Sequence, residues 1–271
     1  MRIGIGQFAP ELDVDHNLTV IERLATEAAE QSARLLILPE LSLSGWGKTG
    51  IEVEIQQPLD CPAVDRLARL ADKLDLSIIS GMYEQRGEGL NPYNTVIALT
   101  PGNGIVATHR KTHLMNAWGD RESDGASTGD NSVNTFLVDG SVKVGLVNCY
   151  EVRFPERAYK LALDGVDIIA VSAAWPSGPN KEEHWLLNLR ARALETTTWV
   201  AGAGAIGGGC IGRSAVVDPS GVVVAQIGED EGITTTTFDR ERTEKMRSAL
   251  PVLQQRRERY GTPTANEVSQ W

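Results

Sequence analysis

Basic charge is in short supply in this chain. Its 26 lysines and arginines face 36 aspartates and glutamates, a formal net charge of -10 over 271 residues. That balance argues against a protein that tracks a phosphate backbone, which needs a basic face. Cysteine is scarce as well: Cys61, Cys149 and Cys210 are the whole supply. An odd number without CxxC spacing suggests neither a disulfide framework nor a zinc ribbon and fits a reducing compartment. No apolar run approaches the ~20 residues a membrane-spanning helix needs, and Met1 to Gln7 reads directly into a strand pattern without an apolar leader. The expectation is a cytoplasmic protein with neither nucleic acid nor membrane as a partner. Its 41% hydrophobic content is enough for a substantial core without staples.

What is present is an alternation of strand and helix patterns. Arg2 to Gln7 reads as a strand. Leu18, Ile21, Leu24, Ala25, Ala28 and Ala29 follow at helical spacing with Asp15 placed to cap, and Leu35 to Leu38 is a short buried strand. A helix from Pro62 to Leu74 has proline in its first turn. Strands over Ser77–Tyr83, Tyr93–Leu99 and Ile105–Arg110 form a meander joined by turn-rich Arg86-Gly87-Glu88-Gly89 and Pro101-Gly102-Asn103-Gly104.

After a strand at Thr135–Val138 the order restarts: strand Lys143–Val147, helix Pro155–Asp164, strand Ile168–Ser172 and helix Glu182–Thr197. A meander then runs through Trp199–Ala203, Arg213–Val217, Val222–Ile227 and Ile233–Phe238. No Pro/Gly/Ser linker divides the halves, so two sheets packed into one domain with helices outside are expected, spanning 1–271. A last helix, Arg240–Ala249, precedes a tail over 250–271 that carries Arg256-Arg257-Glu258-Arg259, read as solvated, packing on the domain or facing a partner.

The duplicated order predicts that corresponding strand ends meet at one edge, where open α/β sheets place their ligands. Glu40 follows the second strand of the first half, Lys111 its last strand, and Cys149 the first strand of the second half. Glu122, in the loop after Lys111, is a fourth candidate for that cleft. Each has a plainer reading: Glu40 as a cap, Lys111 and Glu122 as solvated surface, Cys149 as a small buried hydrophobe.

Three stretches decide against the plainer readings: Leu38-Pro39-Glu40, His109-Arg110-Lys111-Thr112-His113-Leu114, and Asn148-Cys149-Tyr150-Glu151-Val152-Arg153-Phe154-Pro155-Glu156. Further stretches are Ala173-Ala174-Trp175, His184-Trp185 with Arg190-Ala191-Arg192-Ala193-Leu194-Glu195, Gly212-Arg213-Ser214, and Leu250-Pro251-Val252-Leu253. In order and separation they resemble the nitrilase superfamily of carbon–nitrogen hydrolases over essentially the whole chain. The resemblance implies an α/β fold: a four-layer α-β-β-α sandwich of two mixed sheets with an internal pseudo-two-fold.

It also implies chemistry. Attack on an amide carbonyl needs a thiolate, a base for its proton and a cation where the oxyanion develops. By resemblance, Cys149 is the nucleophile, Glu40 the general base and acid, and Lys111 the oxyanion stabiliser with the backbone N–H of Tyr150. Glu122 orients substrate and Lys111. A thioester acyl-enzyme, release of ammonia and hydrolysis by a Glu40-activated water would follow. No metal or cofactor is implied, and pairing into a homo-oligomer, a dimer or larger, is.

Tyrosine rather than tryptophan after the cysteine resembles the amidase branches, and Cys149 to Glu156 with Pro179 to Trp185 looks most like bacterial deaminated glutathione amidases, with omega-amidases next. Both act on carboxylate-bearing amides, which makes Arg153 a carboxylate anchor. An ion pair of Arg153 with Glu151 or Glu156 is the other reading. Trp175 is expected as a pocket wall or, alternatively, a core tryptophan. N-carbamoyl hydrolysis, aliphatic amide hydrolysis and a catalytically silent scaffold also stay open. A papain-like pairing of Cys149 with His109, His113 or His184 is disfavoured, because their surroundings match structural positions of the family. Two loops depart from it, Met115-Asn116 and Ala203 to Gly209, and both shape the pocket.

Overall fold

The computed structural model describes residues 1–46 and 55–261. In chain order the first half runs β1 (Arg2–Gln7), α1 (Val14–Glu30), β2 (Ala33–Ile37), α2 (Pro62–Leu74), β3 (Ser77–Glu84), β4 (Tyr93–Thr100) and β5 (Gly104–Arg110). A small hairpin, β6 (Asn116–Ala117) and β7 (Asp120–Arg121), leads to β8 (Thr135–Val138). The second half runs β9 (Val142–Asn148), α3 (Pro155–Leu163), β10 (Ile168–Ala173), α4 (Lys181–Thr196) and β11 (Trp199–Gly204). It continues through a second small hairpin, β12 (Ile206–Gly207) and β13 (Cys210–Ile211), to β14 (Ala215–Val217) and β15 (Val223–Gln226). β16 (Gly232–Thr237), α5 (Arg240–Ala249) and α6 (Val252–Tyr260) complete it.

Two six-stranded mixed sheets result, ordered β16-β1-β2-β3-β4-β5 and β15-β14-β11-β10-β9-β8. Within each, three parallel strands are followed by two antiparallel ones, so the halves repeat one another strand for strand. Ile3, Ile5, Leu35, Ile37 and Ile79 of the first sheet pack on Val144, Leu146, Ile168, Ala170 and Ala201 of the second. The alternate residues Leu36, Leu38, Ile78 and Ile97 face α1 and α2 on the outer side. Both faces of the central strands are therefore buried, which is why they read as continuous apolar runs. At roughly 1.5–3 kcal/mol for each large aliphatic side chain buried, this double burial dominates the stability. The α-β-β-α sandwich expected from the resemblance is the fold observed.

Two local expectations need correction. The cap of α1 is Asp13, whose carboxylate accepts from Asp15 N and His16 N at 3.0 and 3.1 Å; Asp15 lies in the first turn. The strand at Ile233–Phe238 does not continue the second meander. It crosses to pair antiparallel with β1, as β8, after the first half, crosses to pair with β9. The parallel strands β1 and β9 are thereby paired on both sides, and the antiparallel β16 and β8 form the edges instead. The segment after Leu250, expected as a tail, carries a further helix, Val252–Tyr260, with Leu253 buried and Arg256 over the ring of Tyr159 at 4.2 Å. The rest of the predicted tail, 262–271, lies outside the described residues.

Candidate active site

The chain that carries Glu40 leaves β2 through Pro39 and runs on alongside β3. Leu38 N donates to Ile79 O and Leu43 N to Gly81 O, at 3.0 and 2.9 Å. A Cβ on Gly81 would lie 2.3 Å from Leu41 N, so only glycine lets this segment pass so close. Leu41 adopts φ +53°, the left-handed region, and the turn it makes aims Glu40 into the space between the sheets.

Lys111 continues β5, its N–H donating to Asn94 O at 2.8 Å. Its Nζ donates to Glu40 Oε1 at 2.7 Å and lies 2.9 Å from Glu122 Oε2. Glu122 reaches the site because the β6–β7 hairpin closes on it: its N–H donates to Met115 O at 3.1 Å, and Met115 N donates to its Oε2 at 2.6 Å.

Cys149 stands at the end of β9 with φ +47°, at an elbow where the strand turns into a 3-10 helix, Cys149–Arg153. A non-glycine residue held there costs of order 1–3 kcal/mol. Glu151 holds the elbow. Its carboxylate accepts from Asn148 N at 2.8 Å, Thr112 N at 2.7 Å and Thr112 Oγ1 at 2.6 Å, and meets His109 Nε2 at 2.6 Å. Arg157 Nη2 and Asn134 Oδ1 each lie 3.1 Å from His109 Nδ1, which fixes the ring with Nε2 on Glu151.

Around the thiol the charges are set by neighbours. Burial pushes the Cys149 thiol well above its ordinary range, and the Glu40 carboxylate pushes it further, against the pull of Lys111. For Glu40, burial works upward but is outweighed by Lys111, by the thiol's hydrogen bond and by Ala174 N, which donates to its Oε2 at 2.8 Å; its carboxyl sits below the usual range. For Lys111, burial works downward and is overcome by Glu122 and Glu40, leaving it well above the usual lysine range. The resting site is therefore thiol, carboxylate and ammonium.

Asn94 is a member that the sequence reading missed. Its Nδ2 donates to Glu40 Oε1 at 2.8 Å and Glu122 Oε1 at 2.9 Å, and its Oδ1 accepts from Asn148 Nδ2 at 2.9 Å. It ties both carboxylates to the strand before Cys149. A single asparagine in the apolar run of β4 was the available signal, since a buried amide requires partners.

These groups open on a cleft of about 1180 Å³ lined by Glu40, Lys111, Glu122 and Cys149 together with Tyr83, Met115 and Cys210. Among the described residues, no group of three or more His, Cys, Asp or Glu side chains is arranged to hold a metal ion.

The other predicted residues lie around this set. Tyr150 meets Phe154 edge-on at 5.5 Å, and its N–H belongs to a helix start, where amides lack intrahelical partners. Arg153 forms no ion pair with Glu151 or Glu156: Glu151 is committed to His109 and Thr112, and the guanidinium stacks 4.4 Å from Trp175 and 5.2 Å from Trp118. Trp175 is buried beneath Arg153, its indole N–H donating to Lys181 O at 3.0 Å, and it supports the cleft from behind instead of lining it. His113 stacks on Phe154 at 3.9 Å between ring centres. Neither it nor His109, locked on Glu151, forms a dyad with Cys149.

The carbon–nitrogen hydrolase family matches residues 2–248. Deaminated glutathione amidase of Escherichia coli O157:H7 is 36% identical over 95% of this chain and 97% of that protein. The human protein of the same name is 30% identical over 94% and 82%. Among solved structures, a Saccharomyces cerevisiae member of branch 10 of the nitrilase superfamily superposes with TM-score 0.84 at 27% identity, covering 95% of this chain and 96% of that one. An amidase from Nesterenkonia sp. superposes at 0.78 and 26% identity, covering 93% and 95%. The chain acts on carbon–nitrogen bonds other than peptide bonds, as an amidase with a small-molecule substrate. It belongs to the carbon–nitrogen hydrolase family within the nitrilase superfamily.

Proposed function

We propose that this amidase hydrolyses a small carboxylate-bearing amide through a thioester on Cys149. The observation that carries the reading is convergence: Cys149 lines one cleft with Glu40, Lys111 and Glu122, and Lys111 Nζ lies 2.7 Å from Glu40 Oε1. As Sγ attacks the amide carbon, the proton passes to Glu40, and the oxyanion develops beside Lys111 and the Tyr150 N–H. Glu40 returns the proton to the leaving nitrogen, ammonia from a primary amide or an amine from a secondary one. A water that then gives its proton to Glu40 attacks the thioester, and the thiol re-forms as the acid leaves.

Glu122 and Asn94 hold Lys111 and Glu40 at fixed separation through these steps. The carboxylate preference rests on Arg153, a cation without a carboxylate partner among the described residues, as the anchor reading of the sequence requires. Deaminated glutathione is the leading substrate by likeness to the relatives, with α-ketoglutaramate, N-carbamoyl amino acids and short aliphatic amides as the alternatives. A free thiol as nucleophile also suits a cytoplasmic setting, and a homo-oligomer remains part of the proposal.

The test is turnover of a panel of these amides, with both acid and released amine or ammonia measured, and intact-mass detection of an acyl adduct. An adduct on wild type and its absence, with turnover, in Cys149→Ala support the reading. Equal turnover by that variant overturns it.

A further inference from the structure

Beside the catalytic set lies a pair of cations that the reaction above does not use in full. Arg153 ends the 3-10 helix that begins at Cys149, and Lys181 opens α4. Both are close enough to Cys149 and to one another for their charges to be felt mutually. Bringing two cations together without a counter-charge is costly unless something anionic joins them. Among the described residues neither makes an ion pair within 4 Å; Asp120, whose field reaches Lys181, stays outside that distance. Arg153 Nε is buried without a hydrogen-bond partner, and burial lowers both groups from their ordinary values.

In place of an anion, one aromatic ring covers both. Trp118 has the Lys181 ammonium 3.1 Å and the Arg153 guanidinium 5.2 Å from its centre, while remaining 62% exposed itself. It sits at the tip of the β6–β7 hairpin with Gly119, and both take positive φ, +57° and +94°. That two-residue turn favours asparagine or glycine, so a tryptophan there is an expensive way to make a turn and a direct way to place a ring. Trp175, held by Lys181 O, backs Arg153 from the other side. Gly119 and Asp120 line the catalytic cleft, as do Ala174 and Pro176, whereas the two cations lie just behind that wall.

We propose that Lys181 joins Arg153 in a two-cation subsite for the substrate's carboxylate, with the Trp118 ring as the displaceable cover that holds the site until the anion arrives. The reading deepens the proposed function and rests on it: Arg153 supplies a forked pair of donors, and Lys181 supplies a second charge that makes the carboxylate a condition of efficient turnover. The substrate class is an amide whose acyl half ends in a carboxylate. Because the hairpin closes on Glu122, moving its tip also reaches the group that holds Lys111.

The experiment compares an amide bearing a terminal carboxylate with its methyl ester, on wild type, Lys181→Met, Lys181→Arg and Trp118→Ala. In Lys181→Met the ratio of kcat/KM for carboxylate over ester falls roughly 10- to 100-fold, the loss expected for a hydrogen bond to a charged group, mainly through KM, and Lys181→Arg restores most of it. In Trp118→Ala glutarate, used as a probe by isothermal titration, binds more tightly than to wild type. An equal fall for both amides in Lys181→Met, or glutarate binding unchanged by either substitution, overturns the subsite. Wild type that turns over neither amide and forms no acyl adduct overturns the underlying reaction instead.

Discussion

The floor of the cleft and its outer wall are built on opposite plans. Glu40, Lys111 and Cys149 are buried and each follows the end of a strand, with Glu40 bonded both to Lys111 and, across the halves, to Ala174 N. The wall, from the β6–β7 and β12–β13 hairpins, is half exposed and turns on Trp118, Gly119, Gly207, Gly208 and Gly209, all at positive φ. A packed sandwich fixes the first to within a hydrogen bond's tolerance, whereas short hairpins leave the second free to differ without disturbing it. The contrast predicts that floor substitutions alter the rate of bond breaking and wall substitutions alter which amide is chosen.

The largest effect belongs to the nucleophile. Cys149→Ala should lower kcat by on the order of 10⁴-fold or more, read as acid release at saturating amide, with the fold kept by circular dichroism. Lys111→Met should come close to it and also remove the charge that offsets Glu40 and Glu122, so a loss of activity with retained kcat for any amide would contradict the oxyanion role.

Glu40→Gln should cost about 10²–10⁴-fold in turnover while moving the thiol the other way. Burial first and Glu40 second hold the Cys149 thiol high, so removing the carboxylate beside Lys111 lowers it. Iodoacetamide labelling followed against pH should therefore show its midpoint shifted downward in Glu40→Gln. A midpoint that stays or rises would mean that Glu40 does not face the thiol as a carboxylate.

Glu151→Gln tests the elbow beneath the floor. Burial raises this carboxyl, but His109, Arg157 and Thr112 outweigh it and hold it far below its usual range. Breaking a buried, multiply bonded charge costs ~3–5 kcal/mol. Because the folded value is depressed, the stability it contributes is complete above the unfolded value of about 4.3 and is lost as pH falls toward the folded one. Urea midpoints should separate wild type from variant fully at neutral pH and less at acid pH; a constant gap would remove the charge from the explanation.

The same contrast governs what could be read from residues alone. Glu40, Lys111 and Cys149 were legible because each closes a strand in a short local motif, and Glu122 because it lies a few residues past one of them. Asn94 and the His109–Glu151 pair were not, since strand register between two sheets brings them together. The partner of Ile233–Phe238 was hidden for the same reason: its pattern says strand, and only the exchange of edges says which sheet. Arg153's freedom from Glu151 follows from bonds that Glu151 makes elsewhere. Nothing in Ala117-Trp118-Gly119-Asp120 indicated that a turn would carry its ring to two cations.

The smallest effect should come from the wall's other hairpin. Gly209 lines the cleft, and its carbonyl accepts from Ser177 N at 2.6 Å, which pins the hairpin beside Pro176. A Cβ there would meet nothing within 4 Å, yet φ is +86°, so Gly209→Ala carries only the backbone cost of a left-handed residue, about 1–2 kcal/mol. Relief of that cost by a small shift of the hairpin leaves the strand ends untouched, because no bond from Glu40, Lys111 or Cys149 runs through it among the described residues. KM should change by about two- to fivefold with kcat held, measured on the preferred amide. A fall in kcat larger than the change in KM would show that wall and floor move together, and that the division drawn between choosing an amide and cleaving it is wrong.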